Sequence, residues 1–242
     1  MSPPRRLRFA ALARGFNVLT FEGPGQPTVI RDQGLAFIDE WERVVIPLLD
    51  WCEHTSEVDA TLVGLIGYSF GGYLAPRAAA FEHRLAAIAC VDGLFDMFSG
   101  FTAKLPEPLL RLVRDGEAHG FNRAMLGAMA QQTNLRWAIE HGCWVFGCDA
   151  PYAFIERARS LTLKDVVGDI RCPVLVCDAE DDHFFKGQPK ALAAALGPLA
   201  TYRVLTATDA ASAHCHIGAS DFMNSTVMGW FEDVFYHGAD PA

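Results

Sequence analysis

The chain has 242 residues, is 51% hydrophobic and 20% charged, and carries a formal net charge of −9. That length holds one large α/β domain or two small ones, and the composition excludes a disordered chain. Acidic and basic residues are mixed along the sequence, so it offers no basic face for nucleic acid.

The start, MSPPRRLRFAALARG, is basic, but its apolar run is too short for a secretory signal. No run approaches the ~20 apolar residues of a membrane span. The seven cysteines are scattered, odd in number and free of any C-x-x-C pair. Together these features predict a cytoplasmic protein in a reducing compartment, without membrane or disulfide framework.

In chain order, FNVLTFE (Phe16–Glu22) reads as a first strand. The GPGQP loop behind it lacks G-x-G-x-x-G and any helix start, which argues against a dinucleotide site. FIDEWERVVIPLLDWCEH follows with Phe37, Trp41, Val44, Val45, Leu48 and Leu49 at helical spacing. Then come a strand LVGLIG (Leu62–Gly67), a helix GGYLAPRAAAFEH and a strand LAAIACVD (Leu85–Asp92). Residues 98–165 read as helix only, with breaks at Pro106, Pro108, Gly116, Gly142 and Pro151. Their aromatics (Phe121, Trp137, Trp144, Phe146, Tyr152, Phe154) suit an inserted helical lid within a single domain spanning residues 1–242.

The rhythm then resumes. PVLVCDA (Pro173–Ala179) is a strand, PKALAAALG a helix capped by Gly197, YRVLTAT (Tyr202–Thr208) a strand, and DFMNSTVMGWFEDVFY an amphipathic helix. The five apolar runs are continuous rather than alternating, as in strands covered on both faces. Strands alternating with helices predict a doubly wound α/β fold with a mostly parallel sheet of about five strands.

Gly67-Tyr68-Ser69-Phe70-Gly71 matches G-x-S-x-G between a predicted strand and a predicted helix. A sharp strand-to-helix turn lifts a serine hydroxyl above the sheet and demands small neighbours, here Gly67 and Gly71. The helix that follows directs N–H groups at a reacting oxygen, with the Phe70 amide as one oxyanion donor. A serine nucleophile needs a base, and the base an orienting acid, in the chain order serine, acid, histidine. Asp178, Glu180, Asp181 and Asp182 compete for the acid. Position past the strand end favours Asp182, then Asp181. A metal site from Asp181, Asp182 and His183 lacks further ligands, so no metal and no cofactor is expected. Three histidines follow the acid: His214, His216 and His237. ASAHCHIGA lies where the base belongs, and His237 near the end is expected at the surface. Spacing does not choose between His214 and His216.

The phrases ARGFNVLTFEGPGQP, IGYSFGGYLAPRAAAFEHRLAA, CVDGLFDMF, LRWAIEHGCWVFG, CPVLVCDAEDDHFFKGQP and AHCHIGA resemble a branch of the α/β-hydrolases. That branch is the 2,6-dihydroxypseudooxynicotine hydrolase group, with the related fungal hydrolases that shorten polyketide pigment precursors. The resemblance runs from about Phe9 to Phe235. It implies an α/β-hydrolase fold and a serine hydrolase that cleaves carbon–carbon bonds in diketone-like or aryl-ketone small molecules. By its motifs Ser69 is the nucleophile, Asp182 the acid and His214 the base, with Asp96 as a further acid.

Members of that group carry a long N-terminal region with the first strands and a glycine-rich loop bearing a second oxyanion donor. Here only about fifteen residues precede FNVLTF, and no such phrase occurs among them. Loss of one such donor typically costs ~10²–10³ in rate. The expectation is therefore an N-terminally shortened member lacking the first strands of the fold. A carboxylesterase, an aminopeptidase-like hydrolase and a non-catalytic homologue are the alternatives. Expected partners are a small-molecule substrate and neither nucleic acid nor membrane, with a homodimer left open.

Overall fold

The computed structural model describes residues 3–238. The described residues form two compact units: 3–20, 40–95 and 163–238 make the first, and 21–39 with 96–162 the second.

The first unit is built on a four-stranded parallel sheet in the order β1-β2-β3-β4. The strands are β1 (Gly64–Tyr68), β2 (Ala87–Val91), β3 (Val174–Ala179) and β4 (Ala200–Leu205). β2 is buried along its whole length, and β3 at every position but Asp178. Both faces of these middle strands are covered, which explains their unbroken apolar sequence. Ala87, Ala89 and Val91 of β2 with Leu175 and Cys177 of β3 form one face. Met223, Val227 and Phe231 of α11 (Ser220–Glu232) pack against it. Each such fully buried large side chain stabilises the unit by about 1.5–3 kcal/mol. Helices α3 (Glu42–Glu53), α4 (Gly71–Ala79) and α10 (Gln188–Leu196) complete the wound layers, and α10 ends at Gly197 with φ +58°.

Four of the five expected strands are present; Phe16–Glu22 is not one. A strand exists through ladder partners, and β1 pairs only with β2 among the described residues. The segment is tethered instead by side chains. Phe16 packs 6.1 Å from the Phe235 ring, and Asn17 donates to the Glu57 carbonyl at 2.7 Å. Val18 and Leu19 are exposed, and the chain passes from one unit to the other after Thr20. The start of the chain, read only as a basic stretch, forms helix α1 (Pro3–Leu12). Its Leu7 and Ala11 bury against Met228 of α11.

The second unit is helical: α2 (Pro27–Gln33), α5 (Met97–Thr102), α6 (Glu107–Arg114), α7 (Ala118–Gln131), α8 (Thr133–Val145) and α9 (Pro151–Arg157). Helix α2 corrects the reading that no helix starts behind GPGQP, since Pro27 occupies its first turn with φ already fixed. Gly142 does not break a helix as expected. It lies inside α8, where a Cβ would sit 2.4 Å from the Phe154 ring. Phe154 is itself held by Phe101 and Phe146 at centroid distances of 5.2 and 5.7 Å.

Gly142→Ala therefore tests packing against propensity. Alanine favours an exposed helix interior by ~1 kcal/mol, yet overpacking a pinned ring costs about 1–3 kcal/mol. The expected outcome is a lower melting temperature, partly restored when Phe154→Leu is added. A melting temperature at or above wild type for the single variant would contradict the packing account.

Candidate active site

β1 ends at Tyr68, and the next residue, Ser69, adopts φ +54°. A non-glycine residue is strained there and persists only where its surroundings fix it. Here its N–H continues the ladder to the Val91 carbonyl at 2.9 Å, and its carbonyl accepts from Gly72 at 2.8 Å. Helix α4 begins two residues later, so the Phe70 amide lies at its N-terminus, where the helix dipole favours negative charge.

The glycines divide their work differently from the expectation. A Cβ on Gly67 would lie 1.9 Å from the Gly71 carbonyl oxygen, and one on Gly72 would lie 2.6 Å from the Asp92 carbonyl oxygen. A Cβ on Gly71 would meet nothing within 4 Å. Gly67 and Gly72 are therefore the positions that need the missing side chain.

The loop after β3 carries Asp182, which is 2% exposed. Its Oδ1 accepts the Phe184 and Phe185 amides at 2.6 and 3.2 Å, and its Oδ2 lies 3.0 Å from His214 Nδ1. Burial alone would raise the Asp182 carboxyl, but His214 and these amides bring it below its ordinary value. Glu180 and Asp181 are exposed, and Asp178 accepts the Tyr202 hydroxyl. His214 Nε2 lies 2.8 Å from Ser69 Oγ. Ser69, His214 and Asp182 thus form one hydrogen-bonded chain.

The backbone separates the two candidate histidines. Cys215 and His216 both take left-handed conformations (φ +53° and +52°), turning successive side chains in different directions. His214 faces Ser69, while His216 is fully buried with Nδ1 2.7 Å from the Ala211 carbonyl oxygen. The rings of Phe184 and Phe185 stand 4.8 and 5.5 Å from His214. The His237 side chain lies outside the described residues.

Asp96 belongs to the second unit. Its Oδ1 caps α5 by accepting from the Ser99 amide at 2.6 Å, and its Oδ2 accepts from Thr162 Oγ1 at 3.1 Å. Asp181, Asp182 and His183 do not converge as ligands, because Asp182 is committed to His214 while the other two side chains are exposed. Asp92, His214 and Cys215 offer donor atoms within 4.8 Å of one another, but Asp92 and His214 already bond to each other and to neighbouring protein groups.

Asp92 is the residue that sequence reasoning missed. It follows β2, has φ +62°, and is fully buried. Its Oδ2 accepts from the Cys215 amide and lies 3.0 Å from His214 Nδ1. Burial alone would lower the imidazolium pKa of His214. Were both carboxylates charged, its contacts with Asp182, Asp92 and Cys215 would outweigh burial and raise it to about 11. The available signal was an aspartate at the carboxyl end of an interior parallel strand, the edge at which such sheets place their sites.

Residues 3–223 match the alpha/beta hydrolase family, and the chain belongs to it. The hydrolase acrC of Aspergillus aculeatus is 30% identical over 241 residues, covering 93% of this chain and 55% of that protein. The 20-hydroxy-prefusarin hydrolase FUS2 of Gibberella moniliformis is 32% identical over 185 residues, covering 72% of this chain and 43% of that protein. The chain spans about half the length of the curated relatives it matches. Among solved structures, that of the 2,6-dihydroxy-pseudo-oxynicotine hydrolase superposes with a TM-score of 0.73 at 20% identity, over 98% of this chain and 58% of that one, and shows the shared fold.

Gly67→Ala is expected to destabilise the protein by more than about 3 kcal/mol, because backbone must move to admit the methyl group. Gly71→Ala is expected to stay within about 1 kcal/mol of wild type. Denaturant unfolding of the two variants checks this; equal losses would contradict the asymmetry.

Proposed function

We propose that this alpha/beta hydrolase is a serine hydrolase acting on a small-molecule ketone by hydrolysing a carbon–carbon bond. The observation that carries the reading is the chain from Ser69 Oγ to His214 Nε2 at 2.8 Å and from His214 Nδ1 to Asp182 Oδ2 at 3.0 Å. The ketone substrate class rests on the resemblance of the quoted phrases to the 2,6-dihydroxypseudooxynicotine hydrolase group. The relatives' names, 20-hydroxy-prefusarin hydrolase among them, support a small-molecule substrate.

In this reading Ser69 transfers its proton to His214 Nε2 while Oγ attacks the substrate carbonyl. The Phe70 amide donates to the developing oxyanion. Collapse of the tetrahedral adduct breaks the carbon–carbon bond, and the electron pair leaves on carbon as a stabilised enolate. The proton on His214 passes to that carbon. Water, deprotonated by His214, then attacks the acyl-enzyme, which releases an acid and restores Ser69. Asp182 holds the Nδ1–H tautomer and balances the imidazolium in both halves. An ester enters the same cycle with an alkoxide as leaving group, so a carboxylesterase is the second reading favoured by this geometry.

A fluorophosphonate probe should label wild type but neither Ser69→Ala nor His214→Ala. Turnover of a β-diketone panel against p-nitrophenyl esters then separates the two substrate classes. Folded protein that takes no label would sink the hydrolase reading, and a labelled protein active only on esters would sink the carbon–carbon assignment.

A further inference from the structure

Two carboxylates reach one edge of one imidazole. Asp182 Oδ2 and Asp92 Oδ2 both lie 3.0 Å from His214 Nδ1. If both were ionised, His214 would be held as an imidazolium across neutral pH and could take no proton from Ser69. One of the two must therefore carry no net charge.

The hydrogen bonds decide which. Asp182 Oδ1 accepts two backbone amides, which stabilise an anion. Asp92 Oδ1 has no hydrogen bond and faces His216 Nε2, likewise unbonded, at 3.5 Å. Both side chains are fully buried. A carbonyl oxygen only accepts, so His216 Nδ1, 2.7 Å from the Ala211 carbonyl oxygen, carries the ring hydrogen. Nε2 of a neutral His216 then presents a lone pair to an Asp92 oxygen. Two lone pairs do not face each other in a buried site unless a proton lies between them.

We infer that Asp92 and His216 together hold one proton, on Oδ1 or on Nε2, forming a buried pair of zero net charge that positions His214 and acts as a reserve counter-ion behind Asp182. Asp92 Oδ2 accepts from the Cys215 amide and His214 Nδ1, and one proton on Oδ1 or on Nε2 gives these two facing atoms, 3.5 Å apart, complementary donor and acceptor roles. If the Asp182 charge is removed, that proton settles on His216 Nε2. Asp92 then becomes a carboxylate against His214, with no proton gained or lost by the pair. Among the described residues, the other groups facing this cluster are Ser69, His183 and Cys215 around His214, Asp178 and Cys177 from β3 beside Asp92, and Tyr68 from β1 beside Cys215 and Cys177.

The inference rests on the nucleophile reading above, and the experiment separates the two. Ester hydrolysis with p-nitrophenyl butyrate is followed against pH for wild type, Ser69→Ala, Asp92→Asn, Asp182→Asn and the double aspartate variant. Asp92→Asn keeps the pair neutral. Its kcat/KM should stay within about tenfold of wild type, and its acid limb within about half a pH unit. Asp182→Asn should fall by about 10²–10³-fold, less than the ~10⁴ seen where no reserve acid exists. The double variant should drop to the Ser69→Ala background.

An acid limb displaced downward by more than about one unit in Asp92→Asn means a charged Asp92 in wild type, and overturns the inference. A double variant no worse than Asp182→Asn reduces Asp92 to a structural group and overturns it equally. Activity persisting in Ser69→Ala brings down the nucleophile reading itself, a result separate from either of these. Nitrogen-15 NMR of histidine-labelled wild type needs no variant to fold. His216 Nε2 should report a protonated or strongly hydrogen-bonded nitrogen at pH 7, and a bare lone-pair signal would overturn the shared proton.

Discussion

The approach of the Gly71 carbonyl to Gly67 is the constraint on which the site depends. With a Cβ at position 67 only 1.9 Å from that oxygen, β1 and α4 could not be joined by so short a turn. The turn forces Ser69 to φ +54°, a conformation held by the ladder bond to Val91 and by the bond from Gly72. Gly72 in turn lets α4 pass close to the Asp92 backbone. The strain at Ser69 and the position of Asp92 therefore share one cause: a helix pressed against the ends of two adjacent strands.

Of the four strands legible in sequence, only β2 and β3 owe their apolar continuity to two-sided burial, while β1 and β4 at the edges are largely half-buried or exposed. β2 and β3 lie in the middle of the sheet, and α10 ends at the glycine that marks it. The Phe16–Glu22 run has the same composition, but composition reports a tendency to bury, not a partner to pair with. Its first residues are used as packing against Phe235 instead. Gly142 failed as a helix breaker for a related reason. Propensity speaks of an isolated helix, whereas the neighbouring Phe154 ring takes the space a side chain would fill.

Within the site, Ser69 was legible because its motif sets a local backbone shape. Asp182 was legible because it sits in a short acidic loop at a strand end. In sequence, only resemblance chooses His214 over His216. The choice depends on left-handed conformations at Cys215 and His216, which no spacing rule foretells. In sequence, Asp92 reads as the last residue of a strand. Its role arises from burial and from a contact with a residue 122 positions later in the chain, and neither is visible in local sequence.

Parallel register explains why a second acid comes to this histidine at all. Tyr68 pairs with Val91 and Val91 with Cys177, so the first residues beyond those pairs, Ser69, Asp92 and Asp178, stand abreast at one edge of the sheet. Any acid beyond β2 is then one strand away from the serine, and close to the histidine that faces it. Asp182 reaches the same imidazole only because the chain after β3 turns back, with its own amide bonded to Ala179. Proximity alone does not distinguish the two carboxylates. The distinction lies in what faces their outer oxygens: two amides fixed by the loop for Asp182, and one unbonded histidine nitrogen 3.5 Å away for Asp92. Fixed donors hold a charge in place, whereas a donor that can itself lose its proton lets the charge be cancelled. Those donors make Asp182 the permanent anion and leave Asp92 able to lose its charge to His216.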